Sequence, residues 1–201
     1  MDINRLRDST WAEHKSVEGT MPVMKPDLTR EEYVACLQRL HGIVAAWEDT
    51  AVEEAPSSMQ DFLLARRRRH LLEADLGWLG AAHNEENRAS LPDLTDQASF
   101  LGALYVMEGS TLGGQLIARH LEQTLGLEPG RGDLYFRGHG TQTGPMWREV
   151  CDLLRMEVSQ DQADRVIESA RRMFQAFGSW MRGEVRKCKA KNSRLMDEQH
   201  R

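Results

Sequence analysis

Apolar side chains recur along this chain at intervals of three and four, and no stretch alternates apolar with polar for long. That pattern predicts helices throughout and no sheet. Ile3, Leu6, Thr10, His14 and Val17 share one stripe, which predicts a first helix over about residues 3–19, closed by Gly19, Pro22 and Pro26. Thr29 and Glu32 form a capping box for a second helix reaching about Val52, with Tyr33, Leu37, Leu40, Ile43 and Trp47 inward. After "EAPSS" a third helix is expected from about Ser58, carrying "RRRRHLLEADLGWLGAA" and bent or ended by Gly77 and Gly80. "HNEENRASLPDLTD" reads as a polar connection, and a helix from Asp96 to about Leu125 follows it.

The segment "GLEPGRGDLYFRGHGTQTGP" then reads as a long ordered loop, since Leu134, Tyr135 and Phe136 can pack. A helix is expected after Thr143, with Pro145 in its first turn. A last helix should run from about Asp161 to Lys187, opened by Ser159 and Gln162. Its inward face is Val166, Ala170, Met173, Phe174, Phe177, Trp180 and Met181. No internal repeat or second domain is visible, so the expectation is one all-α domain over residues 1–188 and a flexible tail over 189–201.

Length and charge narrow the function. A chain of 201 residues suits one domain with a single core. A net charge of -5 argues against general nucleic-acid binding. Cys36, Cys151 and Cys188 lie far apart with no CxxC pair, which suits a reducing compartment. "MDINRLRDST" lacks the apolar core of a signal peptide, and no apolar run nears the ~20 residues of a membrane span. The expectation is a cytoplasmic protein with no membrane contact.

One stretch, "YVMEGSTLGGQLIARHL", resists the helical pattern because Gly109, Gly113 and Gly114 fall inside it. Each interior helical glycine costs roughly 1 kcal/mol against alanine, so the three together cost about 3 kcal/mol. Gly109 and Gly113 are four apart and share a face. A face without side chains admits either a tightly crossing helix or a flat ligand against the backbone. His14 is the second unusual residue, an inward histidine that is either a hydrogen-bonded core group or a ligand. Helical di-iron sites need Glu-x-x-His pairs, and no histidine here has a glutamate three residues before it. Nor do the histidines cluster for zinc in the sequence. A metal-binding His14 would then be the single axial ligand of haem, whose porphyrin supplies four nitrogens.

"LRDSTWAEH" followed much later by "YVMEGSTLGGQ" resembles the haem oxygenase family, in particular its bacterial, biliverdin-producing branch linked to bacteriophytochromes. "LYFRGHGTQTGPMWREV" and "RVIESARRMFQAF" resemble their family counterparts in order and spacing, so the likeness covers most of the chain. It implies an all-α domain holding haem b between a proximal N-terminal helix and a kinked distal helix. His14 would be the axial iron ligand. Gly109 and Gly113 would form the distal kink, with Gly114 and Gln115 in the same motif. Arg7 and Tyr105 match propionate-contacting positions, and Phe174 and Phe177 either line the pocket or belong to the core. Mammalian-type members carry an aspartate just after the first distal glycine; here it is Ser110, which leaves the proton-delivery groups unassigned.

The activity implied is cleavage of haem to biliverdin, carbon monoxide and ferrous iron. Haem would be cofactor and substrate, with O2 and seven electrons from a ferredoxin, a reductase or ascorbate. The implied partners are that electron donor and a bacteriophytochrome that receives biliverdin. Two other classes remain open: a haem carrier that does not turn over, and a partner-binding protein of the same fold. A thiaminase-like enzyme needs a nucleophilic cysteine beside carboxylates, and Cys36 in "YVACLQRL" lacks that setting. The run "RRRR" at 66–69 reads as a solvated helix face rather than a site for an acidic redox partner or for haem propionates. His41, His70, His83, His120 and His139 have no partner at informative spacing and read as surface or core hydrogen-bonding residues.

Overall fold

A computed structural model describes residues 1–184. The last helix ends at Met181, short of the expected Lys187, with Gly183 just beyond it at φ 77°; the tail over 189–201 lies outside the described residues. Among the described residues there are ten α-helices and no strand. None of these helices is long and apolar enough to cross a membrane.

The first helix is two: α1 (Ile3–Ser9) and α2 (Trp11–Glu18). Thr10 parts them at φ -113°, ψ 5°. Its hydroxyl donates back to Leu6 O at 2.9 Å, a local bond that competes with helical continuation. Helix α3 (Arg30–Glu54) starts at the expected capping box, where the Thr29 hydroxyl and Glu32 carboxylate each accept the other residue's backbone N–H.

The third expected helix is also broken. A short α4 (Gln60–Leu64) and α5 (Arg69–Trp78) flank a link at 65–68. Arg66, Arg67 and Arg68 therefore lie in a connection rather than on a solvated helix face, and Arg69 opens α5. Arg66 and Arg68 are 6% and 3% exposed, which overturns the sequence expectation for both. Arg68 donates to Met107 O, and Arg66 pairs with Glu108 and Glu149, as described below.

The glycine-bearing helix divides into α6 (Gln97–Gly109) and α7 (Gly114–Leu125). The loop before the next helix is ordered, as expected, and includes the turn α8 (Leu134–Arg137), with Tyr135 and Phe136 buried. Helices α9 (Thr143–Glu157) and α10 (Ala163–Met181) complete the chain.

The centre of the fold is the crossing of α6 and α10. A Cβ on Gly102 would lie 2.6 Å from Val166 O and 2.8 Å from Ala170 N, so the missing side chain sets how closely the backbones approach. The Ser169 hydroxyl donates to Ser99 O at 2.6 Å across the same seam. The stripe Val166, Ala170, Met173, Phe174, Phe177 and Met181 is buried along α10. Burying each large member stabilises by about 1.5–3 kcal/mol before entropy is counted. Arg171 of α10 donates to Ser9 O at 2.8 Å, holding the α1–α2 junction on the core.

Candidate functional site

His14 projects from α2, the helix that Thr10 sets off at an angle from α1. Its ring stacks on Trp11 (5.6 Å between centroids, 14°) and meets the edge of Phe174 on α10 (5.8 Å, 89°). Two hydrophobic rings from different helices thus hold the imidazole. Nδ1 is shielded from solvent and makes no hydrogen bond, but Glu18 Oε1, one turn on, lies 3.6 Å away. A metal-bound histidine commonly donates its second ring nitrogen to a carboxylate, which fixes the tautomer. With Nδ1 turned towards Glu18, Nε2 is the ring nitrogen left for a metal. These residues therefore fit an axial ligand.

The glycine segment joins α6 to α7, and α6 packs on α10 as α2 does. None of Gly109, Gly113 or Gly114 has a positive φ, so none is there for a conformation that only glycine adopts. Their differences lie in what surrounds them. A Cβ on Gly113 would meet nothing within 4 Å, and one on Gly109 would only touch the Trp147 ring at 3.5 Å. A Cβ on Gly114 would fall far inside van der Waals contact of Phe136 O. Gly114 and Gln115 thus face α8, where the Gln115 amide donates to Arg137 O at 3.0 Å. Close approach of another backbone therefore accounts for Gly114, while Gly113 borders open space.

Local chemistry explains the bend. The Ser110 hydroxyl donates to Met107 O at 2.6 Å and the Thr111 hydroxyl to Glu108 O at 2.7 Å. Backbone bonds there tighten to a three-residue span, Thr111 N–H to Glu108 O and Leu112 N–H to Gly109 O. Such side-chain bonds divert carbonyls from the α-helical ladder.

Beneath the bend sits Arg68. One guanidinium nitrogen donates to Met107 O at 2.8 Å and lies 3.4 Å from Ser110 Oγ. The guanidinium also lies 5.3 Å from the Tyr135 ring centroid. Arg66 lies 3.5 Å from Glu108 Oε2 and donates to Glu149 Oε2 at 2.5 Å. Burial pushes the Glu108 carboxyl above its ordinary range, and Arg68 and Arg66 oppose the shift. Two buried arginines therefore neutralise and brace the glycine bend from behind.

Tyr105 joins the two helices. It is 8% exposed, with a hydrogen bond to Thr10 and its ring 5.5 Å from Trp147, the same ring that covers Gly109. Burial raises its pKa, against the effect of Thr10. Arg7 is exposed at the α1–α2 junction and donates from Nε to Asp8 at 2.9 Å. Phe174 and Phe177 are 7% and 4% exposed; only Phe174 has a ring contact with His14.

Large apolar side chains are exposed around both helices: Trp11 at 52%, Leu112 at 51% and Leu116 at 65%. Sequence reading missed Glu18, Trp11, Trp147 and Arg68. Glu18 had a signal, since it stands four residues after His14 on the same helix face. Arg68 had none, because its acceptors come from α6. Cys36 is buried, with its thiol pushed up to about 12 by burial, so it is no nucleophile at neutral pH.

The fold and this site define a class: all-helical proteins in which a histidine-bearing N-terminal helix and a glycine-broken helix face a common core helix. The "Heme oxygenase" family model matches residues 3–183. A haem oxygenase of Xanthomonas campestris pv. campestris (strain 8004) is 30% identical over 159 residues, 78% of this chain and 92% of that protein. The NO- and CO-bound haem oxygenase of Neisseria meningitidis superposes with a TM-score of 0.70 at 23% identity, covering 90% of each chain. The haem-bound haem oxygenase-1 of the cyanobacterium Synechocystis gives 0.67 at 16%, again over 90% of each chain. This chain belongs to the haem oxygenase family.

Proposed function

We propose that this protein is a haem oxygenase that cleaves haem to biliverdin, carbon monoxide and ferrous iron, with O2 and electrons from a ferredoxin, a reductase or ascorbate. The observation that carries the reading is His14: a ring clamped by Trp11 and Phe174, with Nδ1 turned to Glu18. Family membership supports it, as does the open backbone at Gly113.

Haem, when bound, supplies the iron that carries oxygen and the porphyrin edge that is opened. His14 Nε2 would hold the iron, and the Glu18 carboxylate would orient the imidazole and raise its basicity. Gly113, with open space beside it, would leave bare backbone next to the group, while the Trp147 ring covers Gly109. Arg7 at the α1–α2 junction is placed to take a carboxylate of the ligand, giving up Asp8. Ser110 occupies the position of the mammalian-type aspartate. Its proton is committed to Met107 O and Arg68 lies behind its oxygen, so it orders neighbours rather than supplying protons. Exposed Trp11, Leu112 and Leu116 provide apolar surface for a flat ring. Delivery of biliverdin to a bacteriophytochrome, in the cytoplasm, is the accompanying biological reading.

Hemin titration followed by ascorbate in air tests this. A saturable one-to-one haem spectrum that decays into a biliverdin band is expected. Stable binding without decay, with a ferredoxin–reductase couple also failing, would replace the enzyme with a carrier. No binding would assign the protein to the partner-binding class.

A further inference from the structure

Four side chains from three parts of the chain meet among residues the candidate site does not include. His41 comes from α3, Glu73 from α5, and His83 and Glu85 from the connection after α5. One ligating atom of each lies within 4.8 Å of the others. The two imidazoles are 4.6 Å apart between centroids. Glu73 Oε1 is 3.4 Å from His41 Nε2, and Glu85 Oε1 is 2.9 Å from His83 Nε2.

His41 is what sets this cluster apart from a surface ion-pair network. Its side chain is 1% exposed, Nδ1 is buried with no hydrogen bond, and Nε2 has only the long contact to Glu73. A buried imidazole with so little satisfaction is costly unless something else takes a ring nitrogen. The Glu73 oxygen beside it is shared with Arg69 Nε at 2.7 Å.

The backbone holds the arrangement in place. The Ala89 N–H donates to Gly42 O at 3.2 Å, next to His41. A Cβ on Gly42 would fall within van der Waals contact of Asn87 O and lie 2.5 Å from the Trp180 ring. The connection is thus pressed onto α3 where only glycine fits, which sets His83 and Glu85 over His41.

We propose that His41, Glu73, His83 and Glu85 form a binding site for one zinc-class divalent transition-metal ion, separate from the haem site. Two imidazoles and two carboxylates are a tetrahedral donor set of the borderline kind that zinc takes. Ligands about 2.0–2.1 Å from zinc are about 3.3 Å from each other in a tetrahedron, so the cluster closes by a modest contraction. His83 and Glu85 supply that movement, being on an exposed connection. Arg69, which pairs with both Glu73 and Glu85, gives up those carboxylates and keeps Asp49, already 3.9 Å away. The ion would join α3, α5 and the connection, and brace the Trp180 end of α10. This inference does not rest on the haem reading.

The test uses the full chain, stripped with a chelator and free of haem. Zn(II) is titrated against a chromophoric chelator, and Co(II) is followed by its visible ligand-field bands. One equivalent bound, with the intense bands of tetrahedral Co(II), is expected in wild type and in His14→Ala. His83→Gln and Glu85→Gln, both on the exposed connection, should each weaken binding at least tenfold. Hemin uptake should be unchanged in both, which separates this site from His14. His41→Gln should abolish binding, and its circular dichroism checks that it folds. Absence of saturable Zn(II) binding to wild type would overturn the proposal, as would equal affinity in His83→Gln and Glu85→Gln.

Discussion

At the residue scale, most of the site's chemistry rests on second partners. His14 has ring contacts to Trp11 and Phe174, and Glu18 Oε1 lies 3.6 Å from its Nδ1. Replacing Glu18 with Leu should leave the helix intact and lower hemin affinity or turnover about 10–100-fold, the usual effect of losing a carboxylate behind a metal-bound histidine. Soret titration and single-turnover decay check this; unaltered values would mean that Glu18 is only a surface carboxylate. Arg68 has a comparable role behind the bend. Arg68→Met should destabilise by about 3–5 kcal/mol in urea, because buried Glu48 and Glu108 lose a counter-charge.

Glu108 also sets a direction with pH. Burial raises its folded-state pKa above the ordinary 4.5. Just above 4.5 the folded chain keeps a proton that the unfolded chain has lost, so this group costs stability as pH rises through that window. Glu108→Gln should therefore flatten the decline, and Arg68→Met should steepen it. Urea unfolding of the three proteins over that pH range measures both; parallel profiles would remove Glu108 from the account.

At the element scale, periodicity located most helices and missed their breaks. Capping boxes at Thr29 and Asp96 start α3 and α6 where the sequence places them. The break at Thr10 and the arginine link at 65–68 gave no local signal. A single threonine back-bond ends α1, and the burial of Arg66 and Arg68 depends on acceptors in other helices. The glycine segment separates two roles that look alike in the sequence. Gly113→Leu should keep or slightly raise stability, since its side chain enters open space and helical glycine is costly, while blocking oxygen chemistry. Gly114→Ala should instead lower stability by at least about 1–3 kcal/mol through its clash with Phe136 O. Thermal melts and hemin turnover of the two variants decide it; the reverse pattern would exchange the assignments.

At the scale of the whole molecule, the site lies between elements from opposite ends of the chain, so ligand binding should report on global stability. Hemin at about a hundred times its Kd should stabilise wild type by about 2.7 kcal/mol, a rise of roughly 5–10 °C in Tm for a protein of this size. His14→Ala should lose most of that rise. A full rise in the variant would place hemin elsewhere.

The sequence by itself determined the all-α fold, the candidate axial histidine, the glycine motif and the family, because helical period, caps and motif spacing are local properties of the chain. Tertiary structure alone decided that Gly114 serves a helix crossing while Gly113 stays open. It alone buried Arg66 and Arg68 under the bend, and brought His41, Glu73, His83 and Glu85 together. The reason is the same in each case. Burial and the approach of one backbone to another depend on atoms tens of residues away, and neither periodicity nor a short motif carries information about them.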